Sequence, residues 1–110
     1  MVSYGGMLDR TFASLADPTR RSILERLTRE REVSVGELAA PFGTSLTAVI
    51  KHIDVLESAG LVARRRVGRN VCCSLVPDRM AQARAWLDRN LAFWSGSLDR
   101  LGDVVDGEKT

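Results

Sequence analysis

Apolar residues recur every three or four positions over most of the chain, which is the pattern of amphipathic helices. The first two helices are predicted over residues 8–15 and 18–29. Asp17 and Pro18 mark the start of the second helix, because Asp caps free amides and Pro fits the first helical position. The predicted buried stripes are Leu8, Phe12 and Leu15 in the first helix and Ile23, Leu24 and Leu27 in the second.

A third helix is indicated by two polar residues just ahead of another apolar run. Ser34 and Glu37 have the spacing of a capping box, in which the two residues satisfy free groups at the helix start. The pair predicts a short helix over residues 35–42, which Gly43 stops.

The fourth helix is predicted over residues 45–59, with Thr44 or Ser45 as its cap and Gly60 as its terminator. At about 100° per residue, one narrow sector is apolar and predicted to be buried: Val49, Ile53 and Leu56. The exposed face at the N-terminal end holds Thr47, Ile50 and Lys51. Thr and Lys can contact bases or phosphates, whereas Ile offers only apolar contact, for instance to a thymine methyl group.

From residue 61 the period changes, and residues 61–75 are typical of strand, turn and strand. Gly68 and Asn70 are turn formers, and one face of the second strand carries Val71, Cys73 and Leu75. The region is basic, since residues 63–84 contain one acid and six arginines, at 64, 65, 66, 69, 79 and 84. The planar fork of arginine suits phosphates and guanine edges, so the hairpin has the composition of a nucleic-acid-binding wing.

A final helix of about 25 residues is predicted over 79–103, after Pro77 and Asp78 close the hairpin. Its apolar residues fall at alternating spacings of four and three, as in a coiled-coil seam: Leu87, Leu91, Trp94, Leu98 and Leu101. At about 38 Å, this helix is longer than the core of so small a domain can cover. It therefore predicts an interface with a second copy, shared with the first helix around Phe12; the alternative is that the stripe covers only the chain's own core.

The composition limits the chain to one small domain. The sequence has 110 residues, of which 45% are hydrophobic and 27% charged, with a net charge of +2. We expect a single domain over residues 7–103, with flexible tails at 1–6 and 104–110. No segment resembles a signal peptide or approaches the roughly 20 apolar residues of a membrane span, so we expect a cytoplasmic protein without a membrane partner.

Two short helices followed at once by a basic hairpin have the order of a winged helix-turn-helix domain. The expected fold is mostly α with a small β-hairpin (α+β); its recognition helix, 45–59, enters the DNA major groove while the wing, 61–75, reaches the adjacent backbone or minor groove. An exposed helix face or a basic hairpin, taken alone, is more often simply solvent-exposed surface. The order in which the two follow each other here favours DNA binding. The predicted DNA-binding residues are Thr44, Ser45, Leu46, Thr47, Ile50, Lys51, Arg64, Arg66 and Arg69.

Several stretches carry a resemblance to a known family: Phe12-x-x-Leu15-Ala16-Asp17-Pro18-Thr19-Arg20-Arg21-x-Ile23-Leu24, then Glu37-Leu38-Ala39, then Val49-x-Lys51-His52-Ile53-x-x-Leu56-x-x-Ala59-Gly60-Leu61-Val62, then Gly68-Arg69-x-Val71. Over about residues 8–75 the chain resembles the ArsR (ArsR/SmtB) family of bacterial transcriptional regulators. The resemblance implies a homodimeric repressor that binds a near-palindromic operator and responds to a signal. It also implies base reading from the first turns of the recognition helix, where Leu46 and Ile50 stand in place of the polar residues usual in the family.

Other residues leave two alternatives open and argue against a third. Cys72 and Cys73 leave open a thiol-responsive repressor, since nearby arginines can lower the pKa of Cys72. A winged-helix module for protein–protein interaction also remains open. Many relatives bind metal through a Cys pair or through Asp and His ligands, and this sequence lacks both. We therefore expect no metal site and no cofactor. The single histidine, His52, is expected to pack or to touch phosphate. No nucleophile motif, phosphate loop or carboxylate pair predicts an enzyme.

Overall fold

The computed structural model describes residues 3–92, which form helices and three short strands. In chain order the elements are α1 (Ser3–Ser14), α2 (Pro18–Glu30), β1 (Glu32–Ser34), α3 (Val35–Ala39), a 3-10 turn (Ala40–Phe42), α4 (Leu46–Ser58), β2 (Val62–Val67), β3 (Asn70–Leu75) and α5, helical over residues 77–92. The predicted interface residues Trp94, Leu98 and Leu101, and the predicted tail 104–110, lie outside the described residues. No helix within residues 3–92 is long and apolar enough to cross a bilayer.

Side chains cap three helices where the sequence predicts their starts. The Asp17 carboxylate accepts a hydrogen bond from the backbone N–H three residues later, at 3.0 Å, and this bond lowers the pKa of Asp17. Ser34 accepts from the Glu37 N–H at 3.2 Å and donates to the Glu37 carboxylate at 3.1 Å. Of the two candidates for α4, Ser45 is the cap, since its hydroxyl accepts from the N–H three residues on, at 3.1 Å. Each cap satisfies an amide that the helix leaves free.

The first and last helices begin earlier than the sequence predicts. α1 begins at Ser3, so residues 3–6 are helical and not a tail. Gly5 and Gly6 are poor helix formers, but once the following turns have formed, each added residue gains a backbone hydrogen bond. α5 begins at Pro77, two residues before the predicted start at residue 79. Proline fits the first helical position, where an N–H has no partner within the helix.

The third helix is shorter than predicted, because the predicted segment 35–42 divides into α3 and the 3-10 turn. Pro41 has no N–H to donate to the carbonyl of Glu37, and its ring crowds that carbonyl. The Glu37 carbonyl instead accepts a hydrogen bond from Arg26 Nη1 at 2.6 Å. The break therefore leaves no unsatisfied acceptor at that point and brings α2 against the start of the helix-turn-helix.

A third strand joins the predicted hairpin in an antiparallel sheet of order β1-β3-β2. β1 pairs along the outer side of β3, with Val33 opposite Cys73. β2 and β3 form the hairpin, with Arg64 opposite Cys73 and Val67 opposite Asn70. A strand of three residues is too short to show an alternating pattern, which is why only two strands are predicted from the sequence.

The core lies between α2, α3, α4 and the sheet. Its most buried residues are at most 1% exposed: Ile23, Leu27, Leu38, Val49, Ile53, Leu56, Leu61 and Cys73. They include the predicted stripe of α4 and most of that of α2. Burying each large aliphatic side chain stabilises the fold by about 1.5–3 kcal/mol, so the stripe fixes the rotation of α4 about its own axis.

Gly60→Ala is expected to destabilise the fold by about 1–2 kcal/mol, because left-handed backbone costs any other L-residue about that much. Gly60 has φ +78°, and an added Cβ would lie 2.8 Å from Cγ of Arg79. Gly36→Ala is the control, since its Cβ would have nothing within 4 Å and α3 has ordinary helical backbone there. Urea denaturation at fixed protein concentration measures both, and an unchanged midpoint for Gly60→Ala would contradict the assignment.

Candidate nucleic-acid interface

The N-terminal end of α4 presents its side chains to solvent. Because the opposite stripe is buried, Leu46, Thr47 and Lys51 are turned outward, and Leu46 is 51% exposed. Ile50 differs from the prediction, since it is only partly exposed and packs against the core on one side. The exposed surface here thus consists of the Thr47 hydroxyl, the Lys51 ammonium group and the apolar side chain of Leu46.

The turn ahead of α4 is also exposed. Gly43 ends the 3-10 turn with φ +63°, and Thr44 and Ser45 follow it on the surface. The positive end of the helix dipole at this point favours a negative group such as a phosphate. Thr44 and Ser45, which the sequence predicts to contact nucleic acid, are thus exposed at the N-terminal end of α4.

The tip of the hairpin formed by β2 and β3 carries two exposed arginines. The turn is Gly68-Arg69, and Gly68 has φ +62°, as the tight turns of hairpins require. Arg66 lies near the end of β2 and Arg69 in the turn itself. Within residues 3–92, neither arginine nor Lys51 forms an ion pair. Their charges face solvent and remain available to an anionic partner.

Arg64, by contrast, is bound to α4. Its Nη2 donates to Asp54 at 2.7 Å and also to Glu57, while Nε donates to Glu57 at 3.2 Å. The hydrogen bond with Glu57, helped by that with Asp54, raises the pKa of the guanidinium. The side chain of Arg64 is 25% exposed, and its charge is compensated by two carboxylates. It links the hairpin to the recognition helix.

Arg65 makes a second ion pair, across the sheet. Its guanidinium passes β3 and donates to both carboxylate oxygens of Glu32 in β1, at 2.7 and 3.0 Å. This hydrogen bonding lowers the pKa of Glu32. Sequence reasoning missed the partner because it missed β1. For Arg64 a signal does exist, since Asp54 and Glu57 lie three apart on the exposed side of the predicted helix.

A crevice of about 320 Å³ brings the two basic elements together. Leu46 and Ile50 of α4 form one wall, and the hairpin forms another. The rest of the lining comes from residues 34–36, and the hairpin residues are Arg64, Arg69, Asn70 and Val71. The sequence predicts Asn70 and Val71 only as parts of the turn and the strand, and its local pattern gives no signal that they line this surface. The recognition helix and the tip of the hairpin thus form one continuous face.

A second exposed face, made by α1 and α5, is apolar. Phe12 packs edge-to-face against Trp86, with ring centroids 5.7 Å apart. Leu87 and Leu91 are 48% and 56% exposed, and they line a groove of about 610 Å³ together with Phe12. Large contiguous apolar surfaces are typical of interaction sites. The predicted residues Phe12, Leu87 and Leu91 therefore lie on one face.

His52, the single histidine, lies on α4 beside α2. Its Nδ1 is 3.3 Å from Nη1 of Arg20 and 3.7 Å from the carboxylate of Asp17. The same Arg20 donates to the carbonyl of Ser14 at 2.7 Å, at the end of α1. In the part of the chain that the structure describes, no three His, Cys, Asp or Glu side chains are grouped as metal ligands would be.

The two cysteines lie on opposite faces of β3. Cys73 is fully buried, and burial raises its pKa to about 11. Cys72 is partly exposed, opposite Arg65 of β2. Successive strand residues point to opposite sides, so the two thiols are separated by the sheet itself.

A recognition helix and a basic hairpin on one face define a winged helix-turn-helix DNA-binding protein. A family model described as a helix-turn-helix domain matches residues 15–65. The transcriptional regulator Rv2034 of Mycobacterium tuberculosis is 40% identical over 100 residues, which cover 91% of this chain and 90% of that protein. The chain belongs to the ArsR family of transcriptional regulators; it is a DNA-binding regulator and not an enzyme.

Solved structures agree with this assignment. The ArsR family transcriptional regulator RHA00566 is 37% identical, covers 86% of this chain and 97% of its own, and superposes with a TM-score of 0.78. Mb0332 of Mycobacterium bovis, a possible ArsR-family regulator, is 26% identical, with 82% of each chain covered and a TM-score of 0.66. Its structure is that of a homodimeric winged helix-turn-helix DNA-binding domain.

Iodoacetamide at pH 8 is expected to label Cys72 and to leave Cys73 unmodified in the folded protein. With a pKa of about 11, only about one Cys73 thiol in a thousand is ionised at this pH, and the thiolate is the nucleophile. Intact mass measured over time should show one addition, and a second only after unfolding in guanidinium. Cys72→Ser should then show no addition to the folded protein. Equal labelling of both thiols would contradict the buried position of Cys73.

Proposed function

We propose that this protein is a homodimeric repressor that binds a near-palindromic operator in the cytoplasm, with α4 in the major groove and the hairpin tip on the adjacent backbone. The proposal is carried by two observations: Lys51, Arg66 and Arg69 are exposed without carboxylate partners among the described residues, and the start of α4 and the hairpin tip share one crevice. The exposed hydroxyls of Thr44 and Thr47 lie at the same end of α4. Cations bind phosphates, and hydroxyls contact either phosphates or bases.

In this proposal the three cations bind phosphate and Arg64 does not. Its two hydrogen-bonded carboxylates already compensate its charge, and exchanging them for one phosphate gains little. Arg64 instead joins β2 to α4, so that hairpin and recognition helix meet the DNA as one body. This reassigns Arg64 from DNA contact to positioning, while Arg66 and Arg69 keep the predicted role.

The dimer is proposed from the apolar face of α1 and α5. Leu87 and Leu91 are about half exposed on this face. Complete burial of an exposed large aliphatic side chain is worth about 1.5–3 kcal/mol, so covering the exposed half of each gains about 0.7–1.5 kcal/mol. A second copy offers the same face in return, as a two-fold interface requires, and the related Mb0332 domain is homodimeric. Two recognition helices about 34 Å apart then read two half-sites one DNA turn apart.

Repression follows from occupancy alone, because DNA covered by the dimer is withheld from RNA polymerase. No metal or cofactor is part of the proposal. Cys72 and Cys73 are given no sensing role, since one thiol is buried and the two lie on opposite sides of β3.

Selection of bound DNA from random sequence is expected to return a two-fold symmetric operator with half-sites about 10 base pairs apart. On that operator, Lys51→Ala and Arg69→Ala should each reduce the slope of log K against log salt by about 1.8 per dimer, at about 0.9 per phosphate. Arg64→Gln is the contrasting variant: it should weaken binding without changing the slope. A slope that falls with Arg64→Gln and not with Arg69→Ala would reverse the assignment, and failure to enrich any sequence would overturn DNA recognition.

Leu91→Glu is expected to give monomers that bind the operator weakly and without specificity, although the residue lies on α5 and not on the DNA-binding face. A charge in the middle of an apolar interface must be desolvated without a partner. Ala85→Glu is the control, since it adds the same charge to an exposed position of the same helix, more than 100° around the axis from Leu91. Sedimentation and operator titration measure both, and a dimeric Leu91→Glu with native affinity would place the interface elsewhere.

A further inference from the structure

The crevice between α4 and the hairpin contains an apolar surface that no structural role accounts for. Leu46 is 51% exposed and Val71 is 37% exposed, and both line this crevice. Within residues 3–92, about half of Leu46 and about a third of Val71 are left uncovered. Ile50 lies one helical turn after Leu46, where the i and i+4 side chains are neighbours, and it packs against the core. Leu46 is thus the protruding group, and Ile50 forms a firm support behind it.

The charge around this apolar surface determines what can occupy it. Arg69 lines the same crevice, and Lys51 follows Ile50 on α4. Arg69 in the lining, unpaired among the described residues, and Lys51 nearby on α4 favour a polyanion over an apolar peptide, so we take DNA as the partner. The edge of a base pair in the major groove presents hydrogen-bonding groups and a single kind of apolar group, the 5-methyl of thymine. Leu46 cannot form a hydrogen bond and matches only that group.

We propose that Leu46 reads the 5-methyl group of a thymine in each half-site, with Ile50 as its support, so that the operator requires thymine at that position. The inference rests on the proposed function and specifies one base that the operator must contain. Thr47 and Lys51, by contrast, offer polar contacts that do not depend on a methyl group.

The test replaces thymine by deoxyuridine, one position at a time, in the operator selected with the wild-type protein. Deoxyuridine lacks only the methyl group and keeps the base pairing and the hydrogen-bonding edge. At one position per half-site, the wild-type protein should lose about fourfold in affinity for each methyl removed, which corresponds to about 0.8 kcal/mol. Replacement in both half-sites should cost about 15-fold.

Two variants assign the effect to its residue. Leu46→Ala keeps a good helix former at the first position of α4 and should bind thymine and deoxyuridine operators equally, with an unchanged salt slope. Val55→Ala is the matched control, because Val55 is an exposed apolar residue of the same helix, 42% exposed and outside the crevice. It should keep the full sensitivity to deoxyuridine. Melting temperatures of the two variants show whether both are folded.

Each other outcome overturns the inference in a recognisable way. If the wild-type protein selects an operator but no thymine is sensitive to replacement, the inference fails while the proposed function stands. If Leu46→Ala keeps the sensitivity, another residue reads the methyl group. If Leu46→Ala changes the oligomeric state without DNA, the surface belongs to an interface with a second copy. If no operator is selected, the proposed function itself fails.

Discussion

The burial of one side of α4 is the constraint on which the rest of the structure depends. Val49, Ile53 and Leu56 are completely enclosed, and together they hold the helix at one rotation. Residues about half a turn away therefore face solvent, and among them Thr47 and Lys51 have side chains that can contact phosphates or bases. Because this rotation is set by packing, the face proposed to read DNA is already formed in the protein without DNA.

The ion pairs of the hairpin fix its position relative to α4 and to β1. A two-stranded ribbon is only marginally stable by itself, yet this one must hold its tip at a fixed distance from α4. Arg64 ties β2 to the recognition helix, and Arg65 ties β2 across β3 to β1. The three consecutive arginines, which resemble a uniform basic patch in the sequence, therefore have different surroundings. Arg64 binds α4, Arg65 binds β1 across the sheet, and Arg66 faces solvent.

Much of this arrangement could be predicted from the sequence. The stripe of α4, the caps at Asp17, Ser34 and Ser45, and the hairpin after Gly60 all depend on neighbouring residues, and local patterns report such relations well. What could not be predicted depends on contacts between distant positions. β1 has three residues and exists because β3 offers it an edge. The pairing of Arg64 and Arg65 with different carboxylates requires knowing which elements meet. The burial of Ile50 depends on packing from outside α4.

Ile50 also has a consequence for how such proteins diverge. Leu46, Thr47 and Lys51 project from a helix whose stability depends on its other side, and Thr44 lies just ahead of it. Under the proposed function, replacing these residues should change the preferred operator at little cost to folding. Ile50 belongs to both sides, and a polar residue there would disturb the core as well as the reading surface. New specificities should therefore arise first at the freely exposed positions, and a change at Ile50 should require compensation within the core.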